Sequence, residues 1–171
     1  LPGVPHEMRM LLHREVVPRL AGRGEGRVIR SLVVRTTGIP ESTLAERMGE
    51  IESDVAPLSL AYLPGLDGVD LRLTAWNLPP AEADGLLRPA ADLLRARAGE
   101  FVYGERDADL AALVLEEARS RRLHIATAES CTGGLVGERL TETAGSSDVF
   151  VGGVVCYDNA LKISLLGVPP E

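Results

Sequence analysis

The sequence predicts an α+β module followed by the opening of an α/β domain with a parallel sheet, and three observations carry that reading. Residues 28–105 alternate between β-branched runs and helical periodicity in the order β-α-β-β-α-β. From Asp107 the pattern becomes helix, strand, helix, strand, helix, the βαβα succession that implies a parallel sheet. Between these two strands lies Thr127-Ala-Glu-Ser-Cys-Thr-Gly-Gly134, where an apolar run delivers a hydroxyl, a thiol and two glycines to a helix start. Ligands of such sheets bind beyond the carboxyl ends of the strands, and that is where this octamer falls.

Taken in order, residues 1–20 open with Leu-Pro-Gly-Val-Pro-His-Glu-Met and continue helically to Pro18, which is expected to end the helix. The piece is too short to be a domain and reads as the end of one, so the chain is expected to begin inside a longer protein. Residues 21–27 are glycine-rich and charged, a linker with no nucleotide-binding glycine pattern. Val28 to Thr36 reads as a strand, and the helix after it carries Leu44, Met48 and Ile51 on one face. Leu58 to Leu63 and Val69 to Trp76 read as a hairpin about Pro64-Gly-Leu-Asp-Gly68. The second strand alternates, with Val69, Leu71, Leu73 and Ala75 inward. A helix from Pro79-Pro80 to about Ala98 is expected to kink or split at Pro89, and Phe101-Val-Tyr103 to close the sheet as an edge strand.

Asp107 is the expected cap of the next helix, which should bury Leu110, Leu113, Val114 and Ala118. The strand Leu123 to Thr127 follows, then the octamer and a helix from Leu135 to Thr143. Gly145 is placed for a left-handed cap. Asp148 to Tyr157 has the unbroken apolar character of a parallel strand covered on both faces. A last helix carries Leu161, Ile163, Leu165 and Leu166 and stops at Gly167.

Bulk properties narrow the function. The 171 residues carry a formal charge of −7 and a mean hydropathy of +0.07, ordinary globular values that argue against a nucleic-acid binder held by counterion release. Gly65-Leu-Asp-Gly68 has the letters of an RNA-clamping G-x-x-G loop, but it sits in a hairpin and Asp67 would repel phosphate. Cys131, Cys156 and three histidines lack metal-ligand spacing, so no metal site is expected. Two cysteines make no disulfide framework, and a reducing cytoplasm is the default. No apolar run has the length of a membrane span. Seventeen of the 18 basic residues are Arg, which singles out the one lysine, Lys162.

Four chemical readings compete at the octamer. In one, Ser130 is a nucleophile with Lys162 as its base and the Cys131 to Gly134 amides as an oxyanion hole. In another, Cys131 is the nucleophile, its thiolate favoured by the helix dipole. In a third, Thr132-Gly133-Gly134 binds a phosphate. In the last, Ser130 and Thr132 cap a helix, Tyr157 packs and Lys162 is a solvated helix residue. Tyr157-Asp-Asn159 ends the neighbouring strand and Lys162 lies one turn further on. Ser146 and Ser147 enter that strand at its amino end, away from the same rim.

The ordered series Thr127–Gly134, Leu140-Thr141, Gly145-Ser-Ser147, Gly152-Gly153, Tyr157, Asn159, Lys162 and Leu166-Gly-Val168 closely resembles the carboxyl-terminal domain of the CinA (competence/damage-inducible protein) family. Ser31 to Gly38, Glu41-Ser42 and Val69 to Thr74 resemble its middle KH-type domain, and residues 1–8 the end of its molybdopterin-binding-like domain. The resemblance implies four parts: 1–20, the linker 21–27, a KH-type domain at 28–105, and the start of a deamidase domain at 107–171. It implies hydrolysis of the carboxamide of nicotinamide mononucleotide to nicotinic acid mononucleotide and ammonia, without a cofactor, in a cytoplasmic dimer. A divalent metal and an ADP-ribose pyrophosphatase activity would belong only to an amino-terminal domain. Carried over by motif, Ser130, Lys162, Tyr157 and Ser147 become candidate catalytic residues, with the choice between the two serines open. Cys131, Thr132, Gly133, Gly134 and Asn159 become candidate substrate contacts. The isolated chain is expected to be inactive. The competing class is a non-catalytic nucleotide-binding or oligomerising module.

Overall fold

The computed structural model describes residues 3–20 and 26–170. It divides between Arg106 and Asp107 into two units. The expected linker falls, apart from Gly26 and Arg27, outside the described residues.

In the first unit, helices α1 (Pro5–Leu11) and α2 (Val17–Leu20) are joined without a break by a π-helical stretch, Leu12–Val16. The expectation that Pro18 ends the helix is therefore corrected. Pro18 has no amide to donate, and the wider π turn, in which the Val17 amide bonds the Leu12 carbonyl, re-routes the ladder just before it.

The sheet runs in the order β2-β3-β1-β4, antiparallel throughout, with β1 Val28–Thr36, β2 Ser59–Pro64, β3 Val69–Leu78 and β4 Val102–Glu105. Alternation decides its faces. Val69, Leu71, Leu73 and Ala75 are buried as expected, together with Leu32 and Val34 of β1. Onto this face packs α5 (Pro80–Ala98), crossing β1 and β3. Its alanines 83, 91 and 98 are fully buried, and such small side chains allow helix and sheet to approach closely. Pro89 does not split α5. The carbonyl its ring would press on, four residues back, belongs to Gly85, which carries no side chain to obstruct a backbone adjustment. Leu44, Met48 and Ile51 are all buried, but on two helices, α3 (Glu41–Met48) and α4 (Ile51–Asp54). Gly49 separates them at φ +55°, so the common apolar face is real and the single helix is not.

The second unit contains α6 (Leu110–Ser120), β5 (Ile125–Glu129), α7 (Leu135–Thr141), β6 (Phe150–Val155) and α8 (Asn159–Leu166). Strands β5 and β6 are parallel, as the sequence predicts. Three details are corrected. Asp109, not Asp107, caps α6, its Oδ1 accepting from the Ala112 amide at 2.9 Å. The helix buries Ala111, Leu115 and Ala118, while Leu113 and Val114 face outward. Residues 110–115 are all apolar, so periodicity does not choose a face. Packing against Leu140 and Val149 does. Finally, β6 is not covered on both faces. Val151 is 66% exposed, and Val154, Val155 and four apolar residues of α8 are also open. A shallow groove lies over this side, lined by Ala126, Ala128, Val151, Val154 and Leu166.

Candidate functional site

The parallel register aligns Glu129 with Val155, so Ser130 and Cys156-Tyr157 emerge at the same carboxyl rim. The Cys156 amide donates to the Glu129 carbonyl at 2.8 Å and ties the two strand ends together. Beyond Ser130 the chain turns through Gly133 (φ +64°) and Gly134 (φ +101°) into α7, a left-handed pair that glycine adopts without the usual Cβ penalty. Within the turn the Gly133 amide bonds the Ser130 carbonyl and the Leu135 amide bonds the Thr132 carbonyl, both at 3.1 Å. Ser130 is half-buried and Cys131 is exposed. Cys156 is buried.

What sequence reasoning missed is Glu129. Its side chain is 7% exposed, and its two oxygens accept the amides of Val136 at 2.9 Å and Gly137 at 2.8 Å. The anion position at the start of α7 is thus filled by the protein's own carboxylate, and the expected oxyanion or phosphate holder narrows to the turn itself, Cys131 to Gly134. Burial works to raise the Glu129 pKa. The two amides and the hydroxyls of Thr132 and Thr127 outweigh it, and the group titrates below the ordinary glutamate range. Glycines make the room. A Cβ on Gly153 would lie 2.1 Å from the Thr127 hydroxyl, and one on Gly137 would lie 3.2 Å from Glu129 Oε1. A carboxylate ending a strand seven and eight residues before small or apolar positions of a helix's first turn was the available signal.

On the neighbouring strand end, Tyr157 is 77% exposed. Asp158 caps α8 by accepting the Ala160 amide at 2.7 Å. Lys162 Nζ donates to Asn159 Oδ1 at 3.1 Å, so two of the candidate residues are in contact one helical turn apart. Ser147 lies elsewhere. It sits in a 3-10 turn, Ser146–Asp148, at the amino end of β6, where the Ile125 amide meets the Val149 carbonyl. The five residues of β5 separate that end from Ser130 by roughly 16 Å at 3.3 Å per residue.

Three carboxylates of this unit share one sign of shift. Asp109 is held low by the Ala112 amide and then by Arg139, and Asp148 by Arg119, alongside Glu129. Each has a folded-state pKa below its unfolded value. Its stabilisation is therefore complete above the unfolded carboxylate range, about 4, and is lost as pH falls through the lower folded value. Thermal unfolding between pH 7 and pH 3 should show a Tm that is flat down to about pH 5 and then falls. Glu129→Gln should lower the neutral Tm by on the order of 5 °C and flatten the acid limb. An unchanged acid limb in that variant would show that Glu129 is not the titrating group.

A half-buried serine at a glycine turn, with a tyrosine at the next strand end and a lysine in the helix that follows, lies at the carboxyl end of the parallel pair in the second part of this two-part α+β chain. Comparison with known families agrees with that division. Residues 31–104 match the model described as the damage-inducible protein CinA KH domain, and residues 107–171 match the CinA C-terminal domain. The chain belongs to the CinA family. It is 54% identical to a CinA-like protein of Gemmatimonas aurantiaca over 173 residues, covering 100% of this chain and 40% of that protein. Against a CinA-like protein of Chlorobaculum tepidum the identity is 40%, covering 99% of this chain and 40% of the relative. The crystal structure of competence/damage inducible protein CihA from Agrobacterium tumefaciens matches 36% of this chain and 38% of its own, at 47% identity and a TM-score of 0.35. The chain thus spans about 40% of the length of these curated relatives. No helix among the described residues is long and apolar enough to cross a membrane.

Proposed function

We propose that this chain contributes the nucleophile-bearing part of an amidohydrolase that converts nicotinamide mononucleotide and water to nicotinic acid mononucleotide and ammonia. The observation that supports the reading is the parallel register, which aligns Glu129 with Val155 so that Ser130 and Tyr157 follow neighbouring strand ends, with Lys162 in the helix after them. The Ser130 hydroxyl attacks the carboxamide carbon and passes its proton to Lys162. The C–N bond breaks as Tyr157 assists protonation of the departing ammonia, and water then hydrolyses the ester to free the serine. Amides of the Cys131–Gly134 turn receive the oxyanion, and Asn159 holds Lys162 and faces the substrate.

The buried carboxylate of Glu129 favours a turn built to place Ser130 over one built to seat a phosphate, because a second anion at the start of α7 would meet its charge. The nucleotide's phosphate is accordingly bound elsewhere in the complete site.

The test is an enzyme-coupled ammonia assay on a protein of the relatives' length carrying these residues, beside the 171-residue chain. The longer protein should yield ammonia and nicotinic acid mononucleotide in equal amounts, and the shorter one neither. Tyr157, Val151, Val154 and Val155 are open to water here, so this rim does not by itself exclude solvent from a reacting carboxamide. Absence of both products from the longer protein would overturn the reaction assigned, and turnover by the shorter one would overturn the need for further walls.

A further inference from the structure

The first unit carries a feature that the amidase reading does not use. Strand β4 pairs with β1 only at Val34, Arg35 and Thr36, and the Arg106 amide adds one bond to the Val33 carbonyl. Upstream, no strand among the described residues covers that edge of β1. Ser31 faces Thr74 across β3 with their hydroxyls 2.9 Å apart, the close side-chain approach of an antiparallel pair that exchanges no main-chain bonds. The main-chain N–H and C=O of Ser31 therefore point to the open edge, and by alternation so do those of Ile29.

A groove of about 500 Å³ runs along this edge, between Ile29 to Leu32 on one side and Asp84, Leu87 and Arg88 of α5 on the other, with Arg106 at its end. Its charge opposes that of the chain. Arg30 is paired with Asp84, at 2.6 Å, whereas Arg88 and Arg106 have no carboxylate partner among the described residues. The two faces of the edge differ in kind. Arg30 lies on the helix side, in phase with buried Leu32, and Ile29 lies on the other side, 63% exposed.

We propose that this edge is a docking site for an extended acidic peptide segment, which adds a strand to β1 at Ile29 and Ser31. Acidic side chains on one face of that strand meet Arg88 and Arg106, and apolar ones on the other cover Ile29. Exposed edges with unpaired main-chain groups are templates for strand addition, and alternate side chains then supply the specificity.

The probe is a fluorescein-labelled, end-capped hexapeptide, Glu-Val-Glu-Val-Glu-Val, titrated with the 171-residue chain by anisotropy. Binding should weaken with added salt and fall by on the order of tenfold in the Arg88→Ala/Arg106→Ala double variant, both positions being solvent-exposed. Methylating the peptide's main-chain nitrogens at all valines or at all glutamates separates main-chain pairing from charge. One of the two peptides should lose binding and the other keep it, because alternate amides face the protein. Equal binding of both methylated peptides, or no effect of the double variant, overturns the proposal. A fluorescein-labelled thymidine octamer that binds in a manner sensitive to the double variant, while the peptide does not bind, also overturns it and assigns the groove to single-stranded nucleic acid.

Discussion

Ser130→Ala, introduced into a protein of the relatives' length, should lower the rate of ammonia release from nicotinamide mononucleotide by roughly 10³-fold or more while leaving substrate affinity within a few-fold. Loss of a nucleophile removes the covalent route and little of the binding surface. Lys162→Ala should cost about 10²- to 10⁴-fold, the range for a general base. Ser147→Ala should change kcat little if the site is formed within one chain, since the length of β5 lies between that serine and the rim. A complementation experiment settles the choice. The Ser130→Ala and Ser147→Ala proteins are assayed singly and then co-expressed, and the hybrids assayed. If Ser147 alone is essential, or if mixing the two restores turnover, then the single-chain site proposed here is wrong and the serine is delivered by a second subunit.

The largest effect on stability is expected in the first unit, at its hairpin. Gly68 sits at φ +146°, and a Cβ there would lie 2.0 Å from the Thr36 carbonyl oxygen and 2.8 Å from the Thr37 Cα. Both are backbone atoms, so no side chain can rotate away. Thr36 is itself pinned, fully buried with its hydroxyl donating to the Val69 carbonyl at 2.7 Å. Gly68→Ala should therefore destabilise the first unit by about 4 kcal/mol, at the upper end for single substitutions. Gly65→Ala, three residues earlier, meets nothing closer than 3.9 Å and should stay within about 1 kcal/mol. Urea unfolding followed by far-ultraviolet circular dichroism compares them. Equal midpoints would show that the β1–β3 approach at Thr36 is softer than its geometry implies.

The same positions show what the sequence made legible. Val69, Leu71, Leu73 and Ala75 announce their burial because one face of β3 meets helices and the period of two is uninterrupted. The strand–turn–helix around Ser130 is readable from its glycines, since Gly133 and Gly134 occupy the left-handed conformations that such a turn needs. Where packing, not local preference, makes the decision, the signal fades. The apolar run of α6 was compatible with several faces, and its partners selected the one bearing Leu115. Gly49 divides what periodicity joined, because Leu44, Met48 and Ile51 can line one core from either arrangement. The π stretch before Pro18 is a hydrogen-bond rearrangement with no compositional mark. Glu129 was hidden for another reason. Acidic residues are ordinarily solvated, and only the three-dimensional return of α7 over β5 shows that two amides wait for this one.

That return gives the turn a property that a ligand-dependent loop lacks. Glycine-rich loops that cradle an external anion are held in shape by the guest, so part of the binding free energy goes into ordering them. Here the counter-ion is tethered to the strand, covalently continuous with Ser130, and its local concentration does not depend on any solute. The conformational entropy of residues 130–134 is therefore lost once, during folding, and not again at each encounter with a solute.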